Sequence, residues 1–411
     1  GRIEQLPPFC TAARDADPAA FSALMGHIRE TDDENTVVMV QVENEVGLLG
    51  DSRDRSSLGD QAWAEAVPEH IIDAIRASVG SPVHQAWTEN GGHEEGSWAH
   101  LLGDTPAAEE AFMAWAYSRF IEHVAAVGHQ QHPLPLYVNA WMNGEIEIEL
   151  PTGAKVAIAG GSEPGKYPTG GPLPHAARIW RASAPTLDFL APDIYFGDFT
   201  RTCADYLDAT GRLFIPEMRR DRLGVAQMLL ALGEFRALGV SPFGVGSFEA
   251  GADKVTLQDG YRLATALADV LRRNPTAKSR AILLDASKPV VTVPFGDIEV
   301  TLTSGADISF GEPSYPIVGV VVEETEGTFT VVGRGFAFSA ASVDREPVGI
   351  LSATELDYDG AWRTASRLNG DEVSSGEAVR LADLGLTPPS FLHVPQWTKS
   401  TGIARIAVYR Y

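Results

Sequence analysis

The sequence predicts a chain in two parts, a parallel α/β sheet with helical crossovers followed by an all-β region. Two observations predict it. Over residues 1–275, strand-like apolar runs alternate with segments of helical periodicity, the pattern of strands joined by crossover helices. Over residues 276–411, short β-branched runs separated by turn residues take their place, the texture of a sandwich-like domain. At 411 residues, 44% of them hydrophobic, the chain has material for two or three cores.

Taken in order, Asp17-Pro18 opens a helical pattern through Phe21, Leu24, Met25 and Ile28, with proline in the tolerated first turn. Residues 36–42 (TVVMVQV) read as a buried strand. A long connection carries helices at 69–78 and 106–127, the second with Thr105 as N-cap and Pro106 at its first position. Four further strands are expected at 134–141, 187–195, 212–216 and 242–247, with helices at 176–184, 223–238 and 257–272. The Gly/Pro-rich stretch 160–174 reads as a long loop. Beyond the texture change near Arg272–Lys278, strands are expected at 281–284, 290–295, 298–302, 317–322, 328–332 and 404–409.

Charge and composition exclude several classes. Thirty-two basic against 55 acidic residues give a net charge of −23, which disfavours a phosphate backbone as ligand. No apolar run approaches the ~18 residues of a membrane span. The first ten residues lack the apolar core of a signal peptide, so the expectation is a cytoplasmic protein, or a periplasmic or secreted one if a leader has been removed. Cys10 and Cys203 allow one disulfide but no disulfide framework, and two free thiols are expected.

Parallel strands present functional residues at their carboxyl ends. After residues 36–42 come Glu43, Asn44 and Glu45; the next strand runs into Asn139 and Trp141; the third into Asp193 and Tyr195; the fourth into Pro216 and Glu217. Carboxylates, amides and aromatics thus fall at one rim. That inventory suits glycosidic bond cleavage, in which one carboxyl protonates the leaving oxygen and another attacks or activates water. Amides bond hydroxyls, and aromatic faces pack on pyranose rings. Any single glutamate after a strand is as readily a helix cap or loop opener. Between Glu43 and Glu45, spacing does not choose the catalyst.

VQVENEVG (residues 40–47) resembles the fourth-strand motif of glycoside hydrolase family 35, the β-galactosidases. FIPE and APDIY resemble that family's seventh and sixth strands, and GDSRDRS and RLNGDEV (367–373) fit a bacterial branch with an extra C-terminal β domain. The resemblance implies a (β/α)8 barrel of the TIM type, here lacking its first three βα units, before the β domain. It implies Glu45 as general acid/base and Glu217 as nucleophile. Asn44 would hold the sugar 2-hydroxyl, Tyr195 would sit near the nucleophile, and Asn139 would face the site; Glu43 and Trp141 join the expected substrate-binding set. The implied activity is exo-acting, retaining hydrolysis of terminal β-galactosides by double displacement, the two carboxyls about 5–5.5 Å apart and Glu45 carrying the raised pKa. The chemistry requires no cofactor and no metal; the resemblance implies a carbohydrate partner, and the missing units imply either that the chain is a fragment or that an N-terminal piece of the barrel accompanies it. Val46 stands where the family often has Tyr. Two other readings stay open: a retaining β-glycosidase of different sugar specificity, and a non-catalytic carbohydrate-binding or accessory protein.

The remaining signals are weaker. His129 and His132 lie at a helix end without a carboxylate at ligand spacing, so a helix-terminal role is expected. No GxGxxG joins a strand to a helix, and no GxSxG occurs. Trp87 and Trp98 are candidate sugar platforms, Trp115 a core residue, and Glu94-Glu95 a solvated pair. Trp362 and Trp397 are expected to pack rather than bind sugar.

Overall fold

The structure, a computed structural model, describes residues 6–144, 146–149, 155–159, 161–247, 252–305, 315–368, 373, 377–383 and 399–411, with backbone alone at 146–149, 155–159 and 252–255. Trp397 and most of the RLNGDEV motif lie outside the described residues. The chain divides into two units, Gly1–Glu217 and Met218–Tyr411. The change of texture near residue 275 marks where helices give way to strands, whereas compactness divides the chain earlier.

In the first unit, α1 (Thr11–Thr31) begins six residues before the expected Asp17-Pro18 start. Pro18 is therefore inside the helix rather than in its first turn, and its missing N–H leaves one helical acceptor without its donor. The strand expected at 36–42 is reduced to β1 (Val40–Gln41). Three short helices that periodicity did not reveal follow β1: α2 (Ser57–Ala64), α4 (Pro82–Glu89) and α5 (Trp98–Leu102), with the expected α3 (Glu69–Ala77) among them. Serines 56, 81 and 97 cap α2, α4 and α5, each side chain accepting from a backbone N–H three residues on. On α6 (Pro106–Gln131), Thr105 Oγ1 accepts from the Ala108 N–H at 3.1 Å, the cap the sequence predicts.

Then come β2 (Leu136–Trp141), the hairpin of β3 (Ile146–Glu149) and β4 (Lys155–Ala159), α7 (Ala177–Ser183), β5 (Phe189–Ile194), α8 (Phe199–Thr210) and β6 (Phe214–Met218). The helix α8 escaped periodicity, although Asp198 caps its start and Gly211, in the left-handed region at φ 74°, its end. β1 pairs with β2 and β2 with β5, both in parallel, and β6 follows in the order β1-β2-β5-β6. The result is a curled parallel sheet of half-barrel form, not a complete eight-stranded barrel.

The second unit opens with α9 (Arg222–Glu234), β7 (Gly239–Pro242) and α10 (Ala252–Arg273). The strand expected at 242–247 is not found there: β7 lies just before that run and ends at Pro242, and the run itself holds a 3-10 turn at Val245–Ser247. Among the described residues ten strands follow: β8 (Lys278–Leu284), β9 (Val290–Phe295), β10 (Ile298–Ser304), β11 (Ile317–Thr325), β12 (Thr328–Gly333), β13 (Phe336–Ser342), β14 (Val348–Tyr358), β15 (Trp362–Leu368), β16 (Ala378–Leu381) and β17 (Ile403–Arg410). They form two antiparallel sheets, β16-β13-β10-β9 and β15-β14-β17-β12-β11-β8. Val300, Leu302, Phe336 and Phe338 of the first sheet and Val321, Phe329, Val331 and Ile406 of the second share one core. Strand β11 is buried on both faces, as its unbroken apolar run IVGVVV implies. Its second face packs on α9, where a Cβ on Gly233 would lie 2.5 Å from Val320 Cγ1. Among the described residues, no helix is long and apolar enough to cross a membrane.

Candidate active site at the strand ends

Register builds the site. Tyr137 lies opposite Phe189, Asn139 opposite Ala191 and Trp141 opposite Asp193. Residues two apart share a face, so these six form two adjacent columns. The bottom layer is aromatic. Tyr137 stacks on Phe189 at 5.3 Å, and Phe214 meets Tyr137 edge-on at 5.2 Å. Above this apolar floor the side chains turn polar while remaining buried: Asn139 is 0% and Asp193 4% exposed.

Asn139 is the hub. Its Oδ1 accepts from the Glu45 N–H at 2.9 Å, and its Nδ2 donates to Asp193 Oδ2 at 2.6 Å and to Asn44 Oδ1 at 3.0 Å. Gln41 Nε2 donates to the same Asn44 oxygen at 3.0 Å. These bonds fix the turn after β1, in which Glu45 holds the left-handed conformation at φ 46°. Such a conformation costs a non-glycine residue on the order of 1–3 kcal/mol and persists only where neighbours enforce it. Gly47 completes the turn at φ 154°, where a Cβ would sit 2.4 Å from Pro168 Cβ. From the other side, the Tyr195 hydroxyl donates to Glu217 Oε2 at 2.8 Å.

Three carboxyl groups therefore gather at this rim: Glu45, Asp193 and Glu217. Burial raises the Glu45 pKa; the Asp193 carboxyl beside it pulls it back, and the Glu217 charge adds to the rise. Asp193 is pushed up to about 9, first by burial, then by the charges of Glu217 and Glu45. Burial and the same acidic cluster raise the Tyr137 phenol to about 12 and the Tyr195 phenol higher still. Asp193 Oδ1 is buried and receives no hydrogen bond. Two facing carboxylates cannot satisfy each other, but one proton between Asp193 and Glu45 satisfies both.

The structure thus brings Glu45, Glu217, Asn44, Asn139 and Tyr195 into one neighbourhood and places Trp141, half-buried, at the top of its column. Glu43 is not part of the hydrogen-bond network. It is half-buried, and burial followed by the charge of Asp17 on α1 raises its pKa. Sequence reading placed Asp193 among the strand-end carboxylates but gave it no role in the site; it lies on β5, two positions before Tyr195, which directly follows the strand.

Other expectations separate clearly. Trp98 is fully buried, packed 5.4 Å from Trp115 and 5.5 Å from Phe112, so it is core and not a sugar platform. Trp115 is core as expected. Trp87 donates its indole N–H to the His93 carbonyl at 2.8 Å. Glu94 and Glu95 are exposed. Trp362 donates to Asp269 Oδ2 at 2.7 Å, joining β15 to the end of α10. His129 lies in the last turn of α6 and His132 caps it. Cys10 and Cys203 are both free, and burial raises the Cys203 thiol pKa. Among the described residues, no group of three or more His, Cys, Asp or Glu is placed to hold a metal ion.

Residues 257–380 match a family described as a domain of unknown function, DUF5597. The match lies in the second unit and includes none of the carboxyl cluster. No curated protein matches the chain.

Proposed function

We propose that the chain is a retaining glycoside hydrolase of β-galactosidase type, acting on terminal β-galactosides of an oligosaccharide or polysaccharide side chain. The observation that carries this reading is the meeting of Glu45 and Glu217, remote in sequence, around a buried amide hub above an aromatic floor. Glu217, with Tyr195 holding one oxygen, is the nucleophile that attacks the anomeric carbon. Glu45, whose burial favours the protonated form, donates its proton to the departing oxygen and removes one from water in the second step. On this reading Asn44 bonds the sugar 2-hydroxyl and Trp141 packs against the ring. On this reading the curled sheet is the later part of a (β/α)8 barrel, with β1 standing where the family 35 fourth strand does.

The test is hydrolysis of a panel of p-nitrophenyl glycosides, with the anomer of the first-formed product read by NMR. The expected result is preference for the β-galactoside, release of the β-anomer, and loss of turnover in Glu217→Gln with sugar binding kept. Turnover of a different β-glycoside would move the specificity but keep the mechanism. Absence of turnover on every member, with sugar binding unchanged in Glu217→Gln, would favour a binding module and overturn the proposal.

A further inference from the structure

We infer that Asp193 is a positioning residue of this site that works as a neutral acid, donating its proton in a hydrogen bond to the Glu45 carboxyl. The inference rests on the hydrolase reading for its catalytic consequence, but not for the proton itself. Asp193 is the most enclosed of the three carboxyls, and its two oxygens are treated differently. Oδ2 accepts from Asn139 Nδ2 at 2.6 Å, while Oδ1 is buried without a donor. An ionised group in that setting leaves a full charge unsatisfied beside two more carboxylates, which is costly. A proton on Asp193 removes the charge and supplies a donor to the Glu45 carboxyl, which lies within hydrogen-bonding reach.

The groups facing Asp193 are consistent in sign. Glu45 follows β1, Glu217 is on β6, Tyr137 on β2, Tyr195 directly follows β5 and Tyr206 is on α8; each phenol pKa is raised by burial first and by Asp193 among the neighbouring charges. None of these five groups carries positive charge at neutral pH, so none holds Asp193 ionised. The catalytic consequence follows. With Asp193 and Glu45 both protonated, Glu45 points its own proton at the leaving oxygen, and its second oxygen accepts from Asp193. When Glu45 gives up its proton in the first step, that hydrogen bond gains a charged acceptor and strengthens, which stabilises the glutamate as it becomes anionic. No proton leaves Asp193 in the cycle. Its ionisation at high pH places a third negative charge in the site and stops the reaction.

Two measurements on the intact chain test this. The first is the carboxyl 13C shift of Asp193 in aspartate-labelled protein, assigned by its absence in Asp193→Asn. The expected shift at pH 7 is that of a neutral acid, moving only on the alkaline side; an ionised shift at pH 7 overturns the inference. The second compares p-nitrophenyl β-galactoside hydrolysis by Asp193→Asn and Asp193→Ala. Asparagine is neutral and keeps a donor toward Glu45, so it should retain kcat within about tenfold of the parent near pH 6.5 and extend the alkaline limb of the pH profile. Alanine should lose a further tenfold or more. Equal losses in both variants, or an unmoved alkaline limb in Asp193→Asn, overturn it. If Glu217→Gln leaves hydrolysis intact, the hydrolase reading fails instead, and the 13C shift alone still decides whether Asp193 carries a proton.

Discussion

The two units bury their sheets in opposite ways. In the second unit the six-stranded sheet faces its core with Val321, Phe329, Val331 and Ile406, an apolar set with no polar side chain among them. In the first unit the strand columns begin the same way, with Tyr137, Phe189 and Ala191, then place Asn139 and Asp193 where the apolar set would continue. Burying polar groups costs free energy that packing alone does not require, and here it comes with a strained Glu45 backbone. Structure built for stability looks like the second unit. The departure in the first unit is confined to one end of the sheet, where function is expected.

Substitutions sharpen that contrast. The largest effect is expected at Glu217. Glu217→Gln should lower turnover of an activated β-galactoside by ~10³-fold or more with little change in melting temperature, measured by initial rates and calorimetry. In the second unit the pattern should invert. Phe329→Ala removes a fully buried ring packed 5.4 Å from Phe295 and 5.8 Å from Phe338. It should cost ~3–5 kcal/mol of stability by denaturant titration, with kcat of the folded fraction unchanged. Asn139→Ala falls between. It strands the Glu45 N–H and Asp193 Oδ2, so a loss of ~1–3 kcal/mol should accompany a slower rate, the two measured on the same preparation.

The smallest effect concerns pH. Asp193 has a raised folded-state pKa, so between its ordinary value of 3.8 and that raised value the folded chain holds a proton that the unfolded chain has lost. Stability from this group therefore falls as pH rises through that window. Asp193→Asn removes the dependence. Its melting temperature should exceed the parent's by more at pH 8 than at pH 5, a difference of a few degrees; an equal difference at both pH values would contradict the assignment.

Strong periodic signals were legible in the sequence. The α3 and α6 helices, the Thr105 cap, β9 and the buried β11 follow from apolar spacing and capping chemistry. The short helices α2, α4 and α5 did not, because five to eight residues give periodicity too little length, and their serine caps were the better signal. Strands β13 to β16 were missed because partly exposed strands such as β14 and β15 alternate weakly and carry many polar residues. At the site, motif reading found the residues at strand ends. It did not find that Asn139 reaches Glu45, Asn44 and Asp193 together, which depends on register across three segments. It placed Glu43 with Glu45, whereas the left-handed turn at Glu45 breaks the strand alternation that would pair them.

The most direct test of the paired glutamates is covalent trapping. A 2-deoxy-2-fluoro-β-galactoside with a dinitrophenolate leaving group slows the second step more than the first, so a glycosyl-enzyme should accumulate. Peptide mass spectrometry should then find one fluorogalactosyl group on the peptide containing Glu217, absent from Glu217→Gln. A label on any other carboxylate, or turnover of the parent galactoside with no trapped species, would contradict the account.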